Sequence, residues 1–131
     1  MRENDQKGTI ELSLPASRDM MLVVRLAASG VVARAGLTLD VLEDVKMAVE
    51  EACLFLVAQS GAERLRLTFD PKPGEFSVRI AREGGRTPAP ELPEAELDVV
   101  RCILEALVTS VRIDAQAGGV EAISLKAASR A

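Results

Sequence analysis

The stretch that decides the fold is LEDVKMAVEEACLFLVAQSG, residues 42–61. Its apolar residues recur at intervals of three and four, which predicts a long amphipathic helix. The expected buried side consists of Leu42, Val45, Val49, Cys53 and Leu56. Asp40 with Glu43 three residues later fits a capping box, and Thr38 is the alternative N-cap. We expect the helix to end at Ser60-Gly61, where glycine follows the last apolar residue.

Two elements are predicted before this helix. Thr9–Leu14 alternates apolar and polar residues and stops at Pro15, which is typical of a short strand. Met20–Ala35 is apolar at helical spacing and is followed by Gly36, a plausible C-cap. The expected inward residues of this first helix are Met20, Val23, Val24, Ala27 and Val31.

After the long helix the period of the pattern changes from 3.6 to 2. Leu65–Phe69 and Phe76–Ile80 alternate on either side of the turn Pro71–Gly74, which predicts a β-hairpin. A loop is expected over Arg82–Pro93 because of its glycines and prolines. The remaining predictions are a third helix over Glu94–Thr109, a strand from Val111 to Ile113, a turn at Gly118-Gly119, and a last strand over Val120–Ala127.

The predicted element order is therefore β-α-α-β-β-α-β-β. Hairpins imply antiparallel pairing, so we expect an α+β fold, a two-layer sandwich whose mixed or antiparallel sheet carries the helices on one face. The 131 residues form one domain by length. Residues 1–8 and 128–131 are expected to be flexible.

The composition excludes several chemistries. The chain has no His, Trp or Tyr, and its only aromatic residues are three Phe. Without His there is no Ser-His or Cys-His triad and no imidazole metal ligand. A net charge of −4 argues against a phosphate-backbone binder, and the few aromatics argue against a platform for stacked bases.

Cysteine usage and hydropathy predict a cytoplasmic protein. Cys53 and Cys102 lie in apolar, helix-like runs, so both are expected to be small buried residues with free thiols. The polar opening MRENDQKGTIEL has no apolar core of the kind a signal peptide needs. No apolar run approaches the roughly 20 residues of a membrane span.

The residues of the first half resemble the opening of the bacterial anti-sigma factor serine kinases. The matching phrases are LSLPAS at 12–17, VVRLAASGVVARAGLT at 23–38 and LEDVKMAVEEAC at 42–53. That family shares an ATPase fold with histidine kinases, gyrase B, the Hsp90 chaperone and MutL. The predicted element order matches the family over the whole chain, whereas the motif match weakens after Gly61.

The resemblance implies an ATP site on the long helix, where the family has a Glu and, four positions on, an Asn that coordinates Mg²⁺. The Glu matches as Glu51, which would be a vestigial general base. The Asn position holds Phe55, whose ring offers no oxygen to a hard cation. We expect Phe55 to fill the former nucleotide pocket.

Two further family segments are also substituted. Where the family has Asp-x-Gly for the adenine amino group, this chain has Arg82 and Gly84, and a guanidinium cannot accept that hydrogen bond. Where the family has a glycine pair opening the third helix to hold phosphate, Asp98 brings a negative charge instead. We therefore expect no metal site and no cofactor.

The resemblance also implies a protein partner. Arg25 corresponds to an arginine of the family's first helix that contacts the sigma factor, and Arg18 lies nearby in sequence. A solvated basic edge explains these residues equally simply, whereas a partner surface would use the guanidinium to pair with carboxylates.

The prediction is an anti-sigma-factor-like regulator, a pseudokinase that binds a sigma factor or an anti-anti-sigma protein and forms a homodimer. It would bind neither nucleic acid nor a membrane. The alternative is an active serine/threonine kinase that phosphorylates an anti-anti-sigma protein through an atypical site with Mg-ATP. A third possibility is a dimerisation module whose partner is unrelated to sigma factors.

Overall fold

The computed structural model describes residues 8–59, 61–85, 89–117 and 119–129. The strands are β1 (Ile10–Pro15), β2 (Arg64–Lys72), β3 (Glu75–Glu83), β4 (Ser110–Gln116) and β5 (Gly119–Ala128). The helices are α1 (Met21–Arg34), α2 (Leu39–Ala58) and α3 (Glu94–Leu107), and a short 3-10 helix (Arg18–Met20) precedes α1. The predicted order and the α+β class are confirmed.

The described strands form one five-stranded sheet in the order β1-β2-β3-β5-β4, with every neighbouring pair antiparallel. Leu67 of β2 lies opposite Ile80 of β3, which in turn lies opposite Ile123 of β5, and all three are fully buried. Arg66 and Arg79, which alternate with these residues, are exposed. The sheet therefore has one solvated face and one face covered by the helices.

The long helix α2 is the centre of the helical layer. Both α1 and α3 pack against it, and it also contacts β3 and β5. Its buried residues are Val45, Ala48, Val49, Ala52, Cys53 and Leu56. Thr38, and not Asp40, caps the helix, because the Thr38 hydroxyl accepts a hydrogen bond from the Val41 amide at 3.4 Å. No described helix is long and apolar enough to cross a membrane.

The rotation of α1 differs from the prediction. Val23, expected to be buried, is 44% exposed, and Met21 lies in the core instead. The buried side of the helix is Met21, Val24, Ala28, Val31 and Val32. The pattern could not fix the rotation, because α1 is apolar nearly all round and its outward residues are as apolar as its inward ones.

Several element boundaries also differ. Arg82 belongs to β3 and not to the following loop, and β2 continues to Lys72, so that the hairpin turn is Pro73-Gly74. Ala128, expected to be flexible, pairs with Glu75. The predictions for residues 1–7, Ser60, Gly118 and residues 130–131 lie outside the described residues.

The two cysteines occupy opposite environments. Cys53 is fully buried in α2, and burial, followed by the negative charge of Glu50, raises the pKa of its thiol to about 12. Cys102 is exposed on α3, so its prediction as a core residue is wrong. The sequence pattern could not predict this exposure, because α3 has a second, exposed apolar side that also includes Val99 and Ile103.

Candidate functional site

The two residues that the resemblance matches to the family's general base and metal ligand, Glu51 and Phe55, lie on the side of α2 that faces α3. Glu51 and Phe55 are one helical turn apart and both are half-buried. Phe55 lines a cavity of about 340 Å³ together with Ala95, Glu96, Val99 and Val100. Phe55 therefore lines this cavity without filling it. Within the described part of the chain, Glu51 and Arg82 do not line it.

Asp98 does not open the third helix. The helix begins at Glu94, with Pro93 as its N-cap, so Asp98 lies in the second turn. The first-turn amides of Glu96 and Leu97 donate to the Pro93 carbonyl at 3.1 and 3.3 Å. Amides from the second turn onward are used by the helix itself, so those near Asp98 are not available to a phosphate.

Arg82 is part of the interior. Its side chain is only 1% exposed, and its Nη1 lies 3.4 Å from Oε1 of Glu121 on β5. The second Glu121 oxygen, Oε2, accepts a hydrogen bond from the Ala89 amide at 2.6 Å. This carboxylate thus joins β5, the end of β3 and the segment that leads to α3. The sequence reasoning missed Glu121, because nothing local marks it as the partner of an arginine 39 residues away.

Gly84, which the resemblance matches to a family glycine, has a local structural reason to be glycine. Its φ is +75°, and a Cβ atom there would lie 2.6 Å from Oε1 of Glu63. Both the backbone conformation and the close approach favour glycine. Its presence is therefore explained without a nucleotide.

Gln59, which the sequence reasoning also missed, fixes the end of α2 to the sheet. It is 3% exposed. Its Nε2 donates to the Val120 carbonyl at 2.7 Å, and its Oε1 accepts from the Val120 amide at 2.8 Å. The carboxamide thus satisfies both backbone groups of a buried strand residue, as another strand would.

The candidate partner arginines lie in different settings. Arg25 on α1 is paired with α2, because its Nη1 lies 3.1 Å from each carboxylate oxygen of Glu50. Arg18 is exposed in the 3-10 helix that precedes α1. Leu22 and Leu26 are 57% and 64% exposed on the same helix as Arg25.

The described residues include no group of three or more His, Cys, Asp or Glu that could hold a metal ion.

A family model matches most of the chain. Residues 14–122 match the family model of the histidine kinase-like ATPase domain. The chain therefore belongs to that family. The matched region extends from the end of β1 into β5 and includes α2, the cavity beside Phe55, and the Arg82–Glu121 pair.

Among individual proteins, the chain is similar to serine-protein kinases named RsbW. It is 48% identical to the one from Halalkalibacterium halodurans over 52 residues, which are 40% of this chain and 32% of that protein. It is 40% identical to the one from Bacillus subtilis over 71 residues, which are 54% of this chain and 40% of that protein. The chain thus aligns with only a third to two-fifths of the length of these relatives.

A solved structure shows the same fold. The RsbU and RsbW domains of Rv1364c from Mycobacterium tuberculosis match 92% of this chain and 32% of that chain, with a TM-score of 0.68 and 18% sequence identity. These comparisons confirm the resemblance to the anti-sigma factor kinase family and the predicted fold.

Glu121 gives a testable prediction about the interior. Glu121→Ala should lower the free energy of unfolding by about 3 kcal/mol, because it removes the carboxylate partner of a buried guanidinium. The matched control is Glu75→Ala, which removes the carboxylate of the exposed Lys126 pair and should cost no more than about 1 kcal/mol. Urea denaturation followed by circular dichroism measures both, and equal losses would contradict the structural role of Glu121.

Proposed function

We propose that this protein is a regulator of the anti-sigma factor type that acts by protein binding and has lost ordinary Mg-ATP binding. The observation that carries the proposal is the cavity between α2 and α3. The ring of Phe55 lines this cavity at the position expected for the family's metal ligand. Among the residues that line the cavity, only Glu96 is charged. A Mg²⁺ ion requires oxygen ligands, which a phenyl ring lacks.

Two further placements support the proposal. Arg82, at the adenine-binding position, is buried beside Glu121 and can only donate hydrogen bonds. Asp98 lies within α3, where its charge would repel a phosphate. Each lost charge-assisted contact is worth roughly 1.5–3 kcal/mol, so the metal, base and phosphate contacts together correspond to several orders of magnitude in affinity.

The proposed partner is a sigma factor or an anti-anti-sigma protein. The support is Arg25, which the resemblance places at a family position for partner contact and whose Nη1 already donates to both carboxylate oxygens of Glu50. A guanidinium that pairs in this way suits a carboxylate-bearing partner equally well. Arg18, exposed one turn before α1, extends the basic character of this end of the molecule.

We also propose a homodimer formed through α1 and β1. β1 is an edge strand, so its outer backbone groups are unpaired within the described sheet. Leu22 and Leu26 expose more than half of their surface on the neighbouring helix. One interface that covers these side chains and this edge would bury the exposed leucines and pair the free backbone groups of β1.

Mg-ATP should leave the protein's stability unchanged. A ligand at 100 times its Kd stabilises the native state by about 2.7 kcal/mol, so the absence of binding predicts no shift in Tm. Differential scanning fluorimetry with millimolar Mg-ATP tests this, with the Bacillus subtilis RsbW kinase as positive control. A shift of several degrees that disappears in Glu51→Ala, or transfer of labelled phosphate to an anti-anti-sigma protein, would instead establish the kinase alternative.

Substitution of Arg25 should reduce partner capture. Arg25→Glu is expected to lower recovery of a sigma factor or anti-anti-sigma protein from a lysate of the source organism about tenfold, because arginine is enriched among the interface residues whose loss costs more than about 1 kcal/mol. Mass spectrometry identifies and quantifies the captured protein. The control is the exchange Arg25→Glu with Glu50→Arg, which retains the internal ion pair. If this exchange restores capture, Arg25 acts only within the chain and the proposed contact is wrong.

The dimer proposal predicts a mass of twice 14.0 kDa by light scattering. Leu26→Asp should halve that mass, because it places a charge in the proposed apolar contact. Val99→Asp on α3, a similarly exposed apolar position, should leave the mass unchanged. A monomer before substitution, or equal effects of the two changes, would contradict the proposal.

A further inference from the structure

The helix α3 has a second apolar side that the fold does not use. Val99 is 59% exposed and Ile103 is 39% exposed. The exposed apolar or small residues recur at i, i+4, i+7, i+8 and i+11, which places them on one side of the helix. They are Ala95, Val99, Cys102, Ile103 and Ala106. The stripe spans twelve residues, from Ala95 to Ala106. Its length is about 16 Å of helix, which equals three turns of a partner helix.

The stripe meets α2 at a groove. Phe55 of α2 and Val99 and Val100 of α3 line the same 340 Å³ cavity, which therefore forms an apolar depression between the two helices. We call this depression, together with the exposed α3 stripe, the α2–α3 groove. A depression beside an exposed apolar stripe is the form in which an amphipathic helix is bound, with its apolar side chains seated in the groove.

The charges around the α2–α3 groove are mostly negative, and Arg101, the cationic residue of α3, lies between Asp98 and Glu105 at helical spacing. Glu94, Asp98 and Glu105 are exposed and follow one another at helical spacing along α3. On α2, Glu51 lies one turn before Phe55, and Asp44 lines a second cavity that Glu105 also lines. None of these carboxylates takes part in an ion pair among the described residues.

The excess of acidic residues is concentrated in helices α2 and α3. Helices α2 and α3 contain nine carboxylates and only two cationic residues, Lys46 and Arg101. The whole chain is far more balanced, with 20 acidic and 16 basic residues. A partner that covers the apolar stripe must place its own polar groups against this carboxylate rim, where basic side chains are favoured and acidic ones are repelled.

We propose that the α2–α3 groove binds a basic amphipathic helix of a partner protein. Its apolar side chains would pack against Phe55 and Val99, and its Lys or Arg residues would face Glu51, Asp98 and the neighbouring carboxylates. The inference rests on the proposed loss of Mg-ATP binding, because the groove occupies the positions of the family's nucleotide site.

A synthetic helix tests the proposal. The probe is a Leu/Lys amphipathic peptide of about 18 residues with one Trp on its apolar side. The protein has no Trp or Tyr, so Trp fluorescence reports the peptide alone. The matched control peptide has every Lys replaced by Glu. The Lys peptide should bind, with affinity falling as salt is added, and the Glu peptide should bind at least about tenfold more weakly. Binding of neither peptide, or of both equally, would overturn the proposal.

Matched variants locate the binding surface. Val99→Asp should weaken the Lys peptide about tenfold or more, because it places a charge in the apolar contact. Leu39→Asp, the same change at an exposed position at the start of α2, should alter the affinity less than about twofold. Circular dichroism melting checks that both variants are folded. Equal weakening by both changes would overturn the assignment to the groove.

Cys102 provides an independent footprint. It is exposed within the α3 stripe, whereas Cys53 is buried, so an alkylating reagent should modify Cys102 selectively in the folded protein. The Lys peptide should slow this reaction several-fold, and the Glu peptide should not. Unchanged alkylation in the presence of saturating Lys peptide would contradict binding along the stripe.

Two other outcomes are separable from these. If α1 of a second copy occupied the groove, Leu26→Asp and Val99→Asp would both dissociate the protein by light scattering, which would overturn the partner helix. A Mg-ATP titration of the same sample tests separately whether the protein has lost nucleotide binding, as the proposed function requires. Peptide failure without nucleotide binding refutes only this inference, whereas nucleotide binding refutes the proposed function.

Discussion

Burial of α2 against the sheet is the constraint on which the rest of the structure depends. Its inward residues include Ala48 and Ala52, both fully buried, whose small side chains let the helix approach the sheet closely. The helices α1 and α3 pack on either side of it. Two of the candidate functional regions are therefore placed by α2. Glu50 holds Arg25 on the α1 side, and Phe55 forms the floor of the groove on the α3 side.

Adjacent residues of β5 hold the end of this layer together. Val120 is bonded at both backbone groups by Gln59 from α2, and Glu121 lies beside Arg82 from β3 and accepts from the amide of Ala89. Buried polar groups are tolerated only when they are satisfied in this way. Arg82, which the resemblance matches to the family's adenine-binding position, thus has a role in the interior. It links two strands and, through Glu121, the segment that leads to α3.

The sequence predicted the elements whose apolar period is unambiguous. The stripe from Val45 to Leu56 and the alternation from Leu65 to Ile80 each have one apolar side, and there the structure agrees with the pattern. The rotation of α1 and the exposure of Cys102 could not be read, because both helices have apolar residues on two sides. Glu121 and Gln59 were missed because their partners are distant in sequence, and a hydrogen bond across the sheet leaves no local signal.

The distribution of charge joins the two proposals. Cations of the solvated sheet face are paired with carboxylates of the same face, as in Arg66–Glu83 and Arg112–Asp114, whereas α2 and α3 carry nine carboxylates and two cations. A nucleoside triphosphate at the α2–α3 side would lie close to carboxylates. Phe55 offers no ligand for a metal ion that would neutralise the charge of the phosphates. Like charges at close range in a partly desolvated groove are strongly unfavourable. In both proposals, the phenyl ring of Phe55 and the acidic residues of α2 and α3 together disfavour a polyanion and favour a cation-bearing, apolar partner on the same surface.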